Sequence, residues 1–253
     1  MSRIADYQAL FDRGFGHRGR VGYLSPGIVD ETLSAQFYRM APPGVTLVRT
    51  SLELRDVTVD EVNAAVARTK AAATELREYR PDCIVFGGSP TVAVAGPGSD
   101  KTIVDIIEKA SGVRAFSAQI AAIEALKAHG AKRIAVATSF PDGVNALVKK
   151  FIENTGLEVV RIEGMEVRYQ DMTMIPLKDT YELGTRCFKA AKNADALYFT
   201  AAPFPCVANI QRLEEELGTF VISSLQASLW KALTLLKIDD PIADYGKLLR
   251  DMR

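Results

Sequence analysis

The chain repeats itself. RVGYLSP at Arg20 is similar to RIAVATS at Arg133, GVTLVRT at Gly44 to GLEVVRI at Gly156, and DCIVFGGSP at Asp82 to DALYFTAAP at Asp195. GVRAFSAQIAAIEAL at Gly112 is similar to GTFVISSLQASLWKAL at Gly218. The offsets are 113, 112, 113 and 106 residues, in the same order along the chain. One such match arises easily between any two βαβ segments. Four in register point to two copies of one folding unit, each running β-α-β-α-β-α-β.

The local pattern agrees with that order. Strands are expected at Arg20–Leu24, Val45–Thr50, Asp82–Phe86, Val113–Phe116, Arg133–Ala137, Leu157–Ile162, Asp195–Thr200 and Phe220–Ile222. They are short, rich in Val, Ile and Leu, and lack polar alternation. Strands covered on both faces read this way, so parallel sheets flanked by helices are expected. Helices are best supported at Val59–Glu78, Ala118–Ala128, Gly143–Glu153, Val207–Leu217 and Gln226–Leu235, where apolar residues recur at three- and four-residue steps. Gly130, Gly156 and Gly218 stop helices, and Ser117 with Ser223 or Ser224 start them. The fold class is therefore α/β, with two Rossmann-like half-domains related by a pseudo-twofold axis. Residues 1–116, completed by C-terminal helices within 225–253, form the first half, and residues 117–224 form the second.

Composition narrows the function. Lys plus Arg and Asp plus Glu both number 31, so no general attraction to nucleic acid or anionic lipid is expected. No run of about 18 apolar residues offers a membrane span. The N-terminal MSRIADYQALFDRGFGHRGR has no apolar stretch and does not read as a secretory signal. The three cysteines, Cys83, Cys187 and Cys206, are scattered, which suits a reducing cytoplasm rather than a disulfide framework. With only two histidines, His17 and His129, no metal site and no nucleophile–histidine pair is supported. Two glycine motifs mislead. Gly14-Phe15-Gly16-His17-Arg18-Gly19 precedes the first strand, whereas a dinucleotide fingerprint must follow one. Gly96-Pro97-Gly98 lacks P-loop spacing and reads as the start of a helix capped by Ser99 or Asp100.

In parallel sheets, ligands collect beyond the carboxyl ends of strands, where helix N-termini point. Two such units facing each other would set equivalent turns on opposite sides of a ligand. The equivalent turns are Gly87-Gly88-Ser89-Pro90-Thr91 and Thr200-Ala201-Ala202-Pro203-Phe204. Gly88 and Ala201 each lie six residues past the matched aspartates, Asp82 and Asp195. Small residues there let a carboxylate approach backbone amides and the Ser89 hydroxyl. Opposed groups suit proton removal on one face of a carbon and delivery on the other.

These residues carry a resemblance. PDCIVFGGSPTVAVAGPG, AKRIAVATSFPDGVNALVKKFIENTG and DALYFTAAPFPCVANIQRLEEELGTFVISSLQASLWKAL make the chain resemble the aspartate/glutamate racemase superfamily. Within it, the likeness is to the arylmalonate decarboxylase and maleate cis–trans isomerase branch, over nearly the whole length. It implies cofactor-independent isomerase or lyase chemistry on a small carboxylic acid. It also implies two catalytic cysteine positions, of which decarboxylases keep the one in the second half. Those positions fall on Gly88 and Ala201, and neither is a cysteine. Pro90 offers no hydroxyl where the branch often has one. Phe140 stands where a tyrosine is expected, with Ser139 beside it. Ser25, in the first turn, is a further donor.

The expected substrate-binding set is Ser25, Gly88, Ser89, Ser139, Phe140, Thr200, Ala201 and Ala202. Ser89 is also a catalytic candidate. So is Cys206, five residues past Ala201, as a thiol in the first turn of a helix with a lowered pKa. No cofactor and no metal is expected. The expected partner is a small carboxylate substrate, and a homo-oligomer is compatible with the sequence. Alternative readings are a hydratase or hydrolase using bound water, and a carboxylate-binding protein without activity.

Overall fold

A computed structural model of the chain describes residues 12–252. Residues 1–11, the start of the segment read as lacking a secretory signal, lie outside the described residues. Two four-stranded sheets are present. The first contains β1 (Gly19–Gly27), β2 (Val45–Leu54), β3 (Cys83–Phe86) and β4 (Ala115–Ser117), in the order β2-β1-β3-β4. The second contains β5 (Arg133–Thr138), β6 (Glu158–Gly164), β7 (Ala196–Phe199) and β8 (Phe220–Ser223), in the order β6-β5-β7-β8. Every pairing is parallel. The central strands β3 and β7 are buried along their whole length, which explains their unbroken apolar runs.

Helices cover both sheets. In the first half they are α1 (Glu31–Met40), α2 (Val59–Arg77), α3 (Ser89–Ala95) and α4 (Ser99–Ser111). α5 (Ala118–Ala128) leads into the second half, followed by α6 (Asp142–Glu153), α7 (Leu177–Ala190), α8 (Ile210–Leu217), α9 (Ser224–Leu236) and the short α10 (Lys247–Arg250). Two local expectations are corrected. The helix expected from Val207 opens as a 3-10 turn, Val207–Asn209, and α8 begins only at Ile210. α4 is not capped by Ser99 or Asp100: its N-cap is Gly98, and the Ser99 hydroxyl donates instead to Val92 O at 2.8 Å. Ser117 and Ser223 do cap α5 and α9, each accepting from an amide three residues on.

The repeat extends to individual hydrogen bonds. Arg20 N donates to the Asp82 carboxylate at 2.8 Å, and Arg133 N donates to the Asp195 carboxylate at 3.1 Å. Arg20 Nε donates to Tyr79 O at 3.0 Å, and Arg133 Nε to Asn193 O at 3.1 Å. Glu108 accepts from Ala115 N at 2.9 Å, as Glu214 accepts from Val221 N at 3.1 Å. Each aspartate thus ties the start of a central strand to its neighbour in both copies. These recurring charge-assisted bonds explain why the two sequences keep one register.

The halves are joined by exchanged helices. α5 and α9, which follow the last strand of each sheet, pack on each other. α9 reaches across to α1 and β3, and α3 packs on α6. The segment at α10 returns to the second half, where Gly246 N and Lys247 N donate to Gln211 and Glu214 at 3.1 and 2.8 Å. No helix among the described residues is long and apolar enough to cross a membrane.

Candidate functional site

The segment that follows β1 meets the loop that follows β7 through short, specific contacts. Thr32, in the first turn of α1, donates to Pro203 O at 2.6 Å. Gln36, one turn on, donates to Phe204 O at 3.2 Å, and its carbonyl accepts from Cys206 N and Val207 N at 3.0 and 3.1 Å. The second-half turn is therefore held by a helix of the first half.

Both matched turns adopt left-handed backbone. Gly88 has φ 96° and Ala201 has φ 84°. Glycine takes this conformation freely, whereas alanine pays about 1–2 kcal/mol for it. The two positions differ in space as well. A Cβ built on Gly88 would lie 2.5 Å from Pro26 Cγ and 2.6 Å from Thr91 Oγ1. Ala201 carries its Cβ in a buried position, and by the repeat offset Ser139 stands where the first half has Pro26 and Phe204 where it has Thr91.

The expected polar residues are gathered at this end and are buried. Ser25 donates to Asp30 Oδ2. The hydroxyls of Ser89, Ser139 and Thr200 are buried, and none completes a well-formed hydrogen bond within the protein. Tyr198 on β7 bonds Ser224 Oγ at 2.7 Å and Gln119 Oε1 at 3.1 Å. The Ser89 and Thr200 hydroxyls also lie close to its phenol. Burial raises the Tyr198 pKa, and the surrounding hydroxyls work against that rise. Ala202 contributes its carbonyl to Gln36 at 3.4 Å. Phe140 is buried, its N–H donating to Thr138 Oγ1 and its carbonyl accepting from Asn145 at 3.1 Å.

Cys206 departs from its expected chemistry. It precedes the 3-10 turn rather than opening an α-helix, and its side chain is fully buried. Burial pushes the thiol well above its usual pKa, with the Ser223 hydroxyl opposing weakly. Burial therefore disfavours the thiolate, the reverse of the lowering expected from a helix start. Cys83 and Cys187 are also buried, and burial lifts both to about 12.

Several residues were not anticipated. Thr91, Tyr23 and Gln119 each carry a buried polar atom without a partner, and Asp30 has an unpartnered Oδ1. Of the eight such atoms among the described residues, only Thr185 Oγ1 lies away from this end of the strands. Asp30 immediately precedes α1 and is buried, which raises its pKa despite the Ser25 hydroxyl and the Arg49 guanidinium 3.6 Å away. Tyr169, on the 3-10 turn Tyr169–Met174 of the second half, packs against Gly27. A cavity of about 440 Å³ opens beside it, between Ile28, Val29 and Leu54 of the first half and Tyr169 and Met174 of the second. None of the expected site residues lines that cavity. The N-cap position of Asp30, five residues past Ser25, was the available signal. For Tyr169 the sequence carries none, because its loop has no counterpart in the repeat.

A model of the arylmalonate decarboxylase family matches residues 34–249. Arylmalonate decarboxylase of Bordetella bronchiseptica is 24% identical over 198 residues, covering 76% of this chain and 81% of that protein. Maleate isomerase of Geobacillus stearothermophilus is 23% identical over 211 residues, covering 78% and 81%. A structure of the Nocardia farcinica maleate cis–trans isomerase with a covalently bound succinylcysteine intermediate superposes with a TM-score of 0.84 at 21% identity, covering 92% of this chain and 98% of that one.

Proposed function

The chain belongs to the arylmalonate decarboxylase family, and from that premise we propose that it is a cofactor-independent lyase that decarboxylates a small, substituted malonate. The observation that carries this reading is the cluster of buried hydroxyls at Ser89, Ser139 and Thr200, none of which completes a well-formed hydrogen bond within the protein, with Ser89 and Thr200 close to the Tyr198 phenol. Buried hydroxyls without partners are costly, by about 1–3 kcal/mol each, and a carboxylate offers about four acceptor sites to such donors. Donors fixed in a dry site stabilise the enediolate left when carbon dioxide departs more than they stabilise the starting acid.

Curated relatives are named as decarboxylase and as isomerase. The decarboxylase reading is favoured here because isomerisation by two opposed thiols needs a side chain at Gly88, and a Cβ there meets Pro26 at 2.5 Å. Neither Gly88 nor Ala201 supplies a thiol, and the buried Cys206 is assigned no proton transfer. The test is incubation with malonate, methylmalonate and phenylmalonate, with maleate as the isomerase control, followed by proton NMR. Formation of monocarboxylate supports the reading. Conversion of maleate to fumarate would replace it with isomerisation. If none is turned over while several raise the melting temperature, the protein is a carboxylate-binding protein.

A further inference from the structure

Gly88 and Ala201 leave decarboxylation without an obvious proton donor, and among the described residues one buried carboxylate oxygen, Asp30 Oδ1, has no hydrogen-bond partner. Asp30 is fully buried in the β1–α1 turn. Its Oδ2 accepts from Ser25 and lies 3.6 Å from an Arg49 guanidinium nitrogen, while its Oδ1 has no partner. A structural N-cap would accept from the first turn of its helix, but Asp30 makes no side-chain cap bond to α1. Its neighbours place it between two regions. On one side, Ile28, Val29, Glu31 and Tyr169 line the 440 Å³ cavity. On the other, Tyr23 feels the charge of Asp30, and its ring would lie 2.6 Å from a Cβ on Gly87 in the first-half turn. Two residues after Asp30, Thr32 holds Pro203 of the second-half turn.

We propose that Asp30 is the acid–base group of this site and delivers the proton that completes the reaction. This rests on the decarboxylase reading. Heterolysis of the bond between the α-carbon and one carboxylate releases carbon dioxide and leaves the electron pair on an enediolate. The Asp30 O–H bond breaks, its proton forms the new C–H bond, and the resulting carboxylate takes a proton from water. Each turnover consumes one solvent proton and leaves Asp30 unchanged. A buried carboxyl group suits this role because desolvation holds it protonated to higher pH than an ordinary aspartate. The groups facing it are Arg49 on β2, Glu31 on α1, Tyr23 on β1 and Tyr169 on the 3-10 turn. Of these Arg49 favours the charged form and Glu31 opposes it.

The experiment follows the malonate panel by proton NMR in wild type, Asp30→Asn and Arg49→Met, across pH, with melting temperatures measured in parallel. Asp30→Asn keeps the shape and an acceptor for Ser25 but has no acidic proton. Its kcat is expected to fall at least about a hundredfold, with KM within about threefold. In wild type, kcat should fall as pH rises through the Asp30 pKa, because the acid form is the active one. Arg49→Met removes the cation that holds this pKa down, so the limb should move to higher pH. A merely structural Asp30 would not move it. If Asp30→Asn fails to fold, the Arg49→Met profile alone decides, and an unmoved limb overturns the proposal. Turnover by Asp30→Asn within fivefold of wild type also overturns it, and leaves the decarboxylase reading standing. A wild type that turns over no malonate overturns both.

Discussion

The Gly88 turn and the Ala201 turn occupy the same place in two copies of one unit, yet they have been tightened in different ways. Both have left-handed backbone. At Gly88 the space for a side chain is taken by the Pro26 ring and by Thr91. At Ala201 a side chain is present despite an unfavourable φ of 84°. The clamps differ too. In the first half, α1 sends Gln36 across to the backbone of the second-half loop. The corresponding helix of the second half, α6, turns Asn145 back on its own half, where it bonds Thr138 at 2.7 Å and Phe140 O at 3.1 Å. Duplication therefore fixed the frame, and the site was shaped by what each half does to the other's turn.

The sharpest way to break this comparison is to add the missing methyl group to the first turn. Gly88→Ala should destabilise the protein by about 2–4 kcal/mol. Part is the left-handed φ, about 1–2 kcal/mol, and part is overpacking against a proline ring that cannot swing aside, about 1–3 kcal/mol. Urea unfolding monitored by circular dichroism reads this directly. A cost below about 1 kcal/mol would mean that the first turn is as permissive as the second, and that the preference for one-sided chemistry loses its ground.

A smaller effect is expected from the clamp. Gln36→Leu keeps the volume but strips partners from Cys206 N and Val207 N, both in a buried loop. Leaving buried N–H groups unpaired costs about 1–3 kcal/mol each, and partial relaxation brings the expected total to about 2 kcal/mol. Asn145→Leu provides the contrast. Both variants should lose stability, but amide hydrogen exchange at residues 201–207 should accelerate only in Gln36→Leu. Equal acceleration in both would show that the second-half turn is held by general packing rather than by this side chain.

Much of the frame was legible in the sequence because its causes are local or repeated. The aspartates at 82 and 195, the Ser117 and Ser223 caps, and the apolar runs of β3 and β7 all act within a few residues or recur at constant offset. The paired turns were found the same way. What was missed depends on chain segments meeting from far apart. Gln36 looks like an ordinary amphipathic position on α1, and only its approach to residues 204–207 gives it meaning. The acidity of Cys206 was misjudged for a related reason: proximity to a helix start suggested a lowered pKa, and burial, which depends on the whole core, dominates instead. Asp30 and Tyr169 lie outside the matched segments, so the repeat could not draw attention to them.

The gentlest test is the reverse of the first. Ala201→Gly removes the methyl group that the second turn carries at φ 84°. Relief of the left-handed strain, about 1–2 kcal/mol, is offset by the greater freedom of glycine in the unfolded chain, about 0.5–1 kcal/mol. It is also offset by the lost contacts of a buried methyl group, about 0.8 kcal/mol. The terms nearly cancel, so the expected change is within about 1 kcal/mol of zero, and the melting temperature should move by less than about 4 °C. This small value is informative because the same methyl group, added at Gly88, is expected to cost several times more. A large loss at Ala201→Gly would show that the methyl group packs against a surface that depends on it. The turn would then be built around that side chain rather than merely tolerating it, and the two turns would differ in design more deeply than their shared backbone suggests.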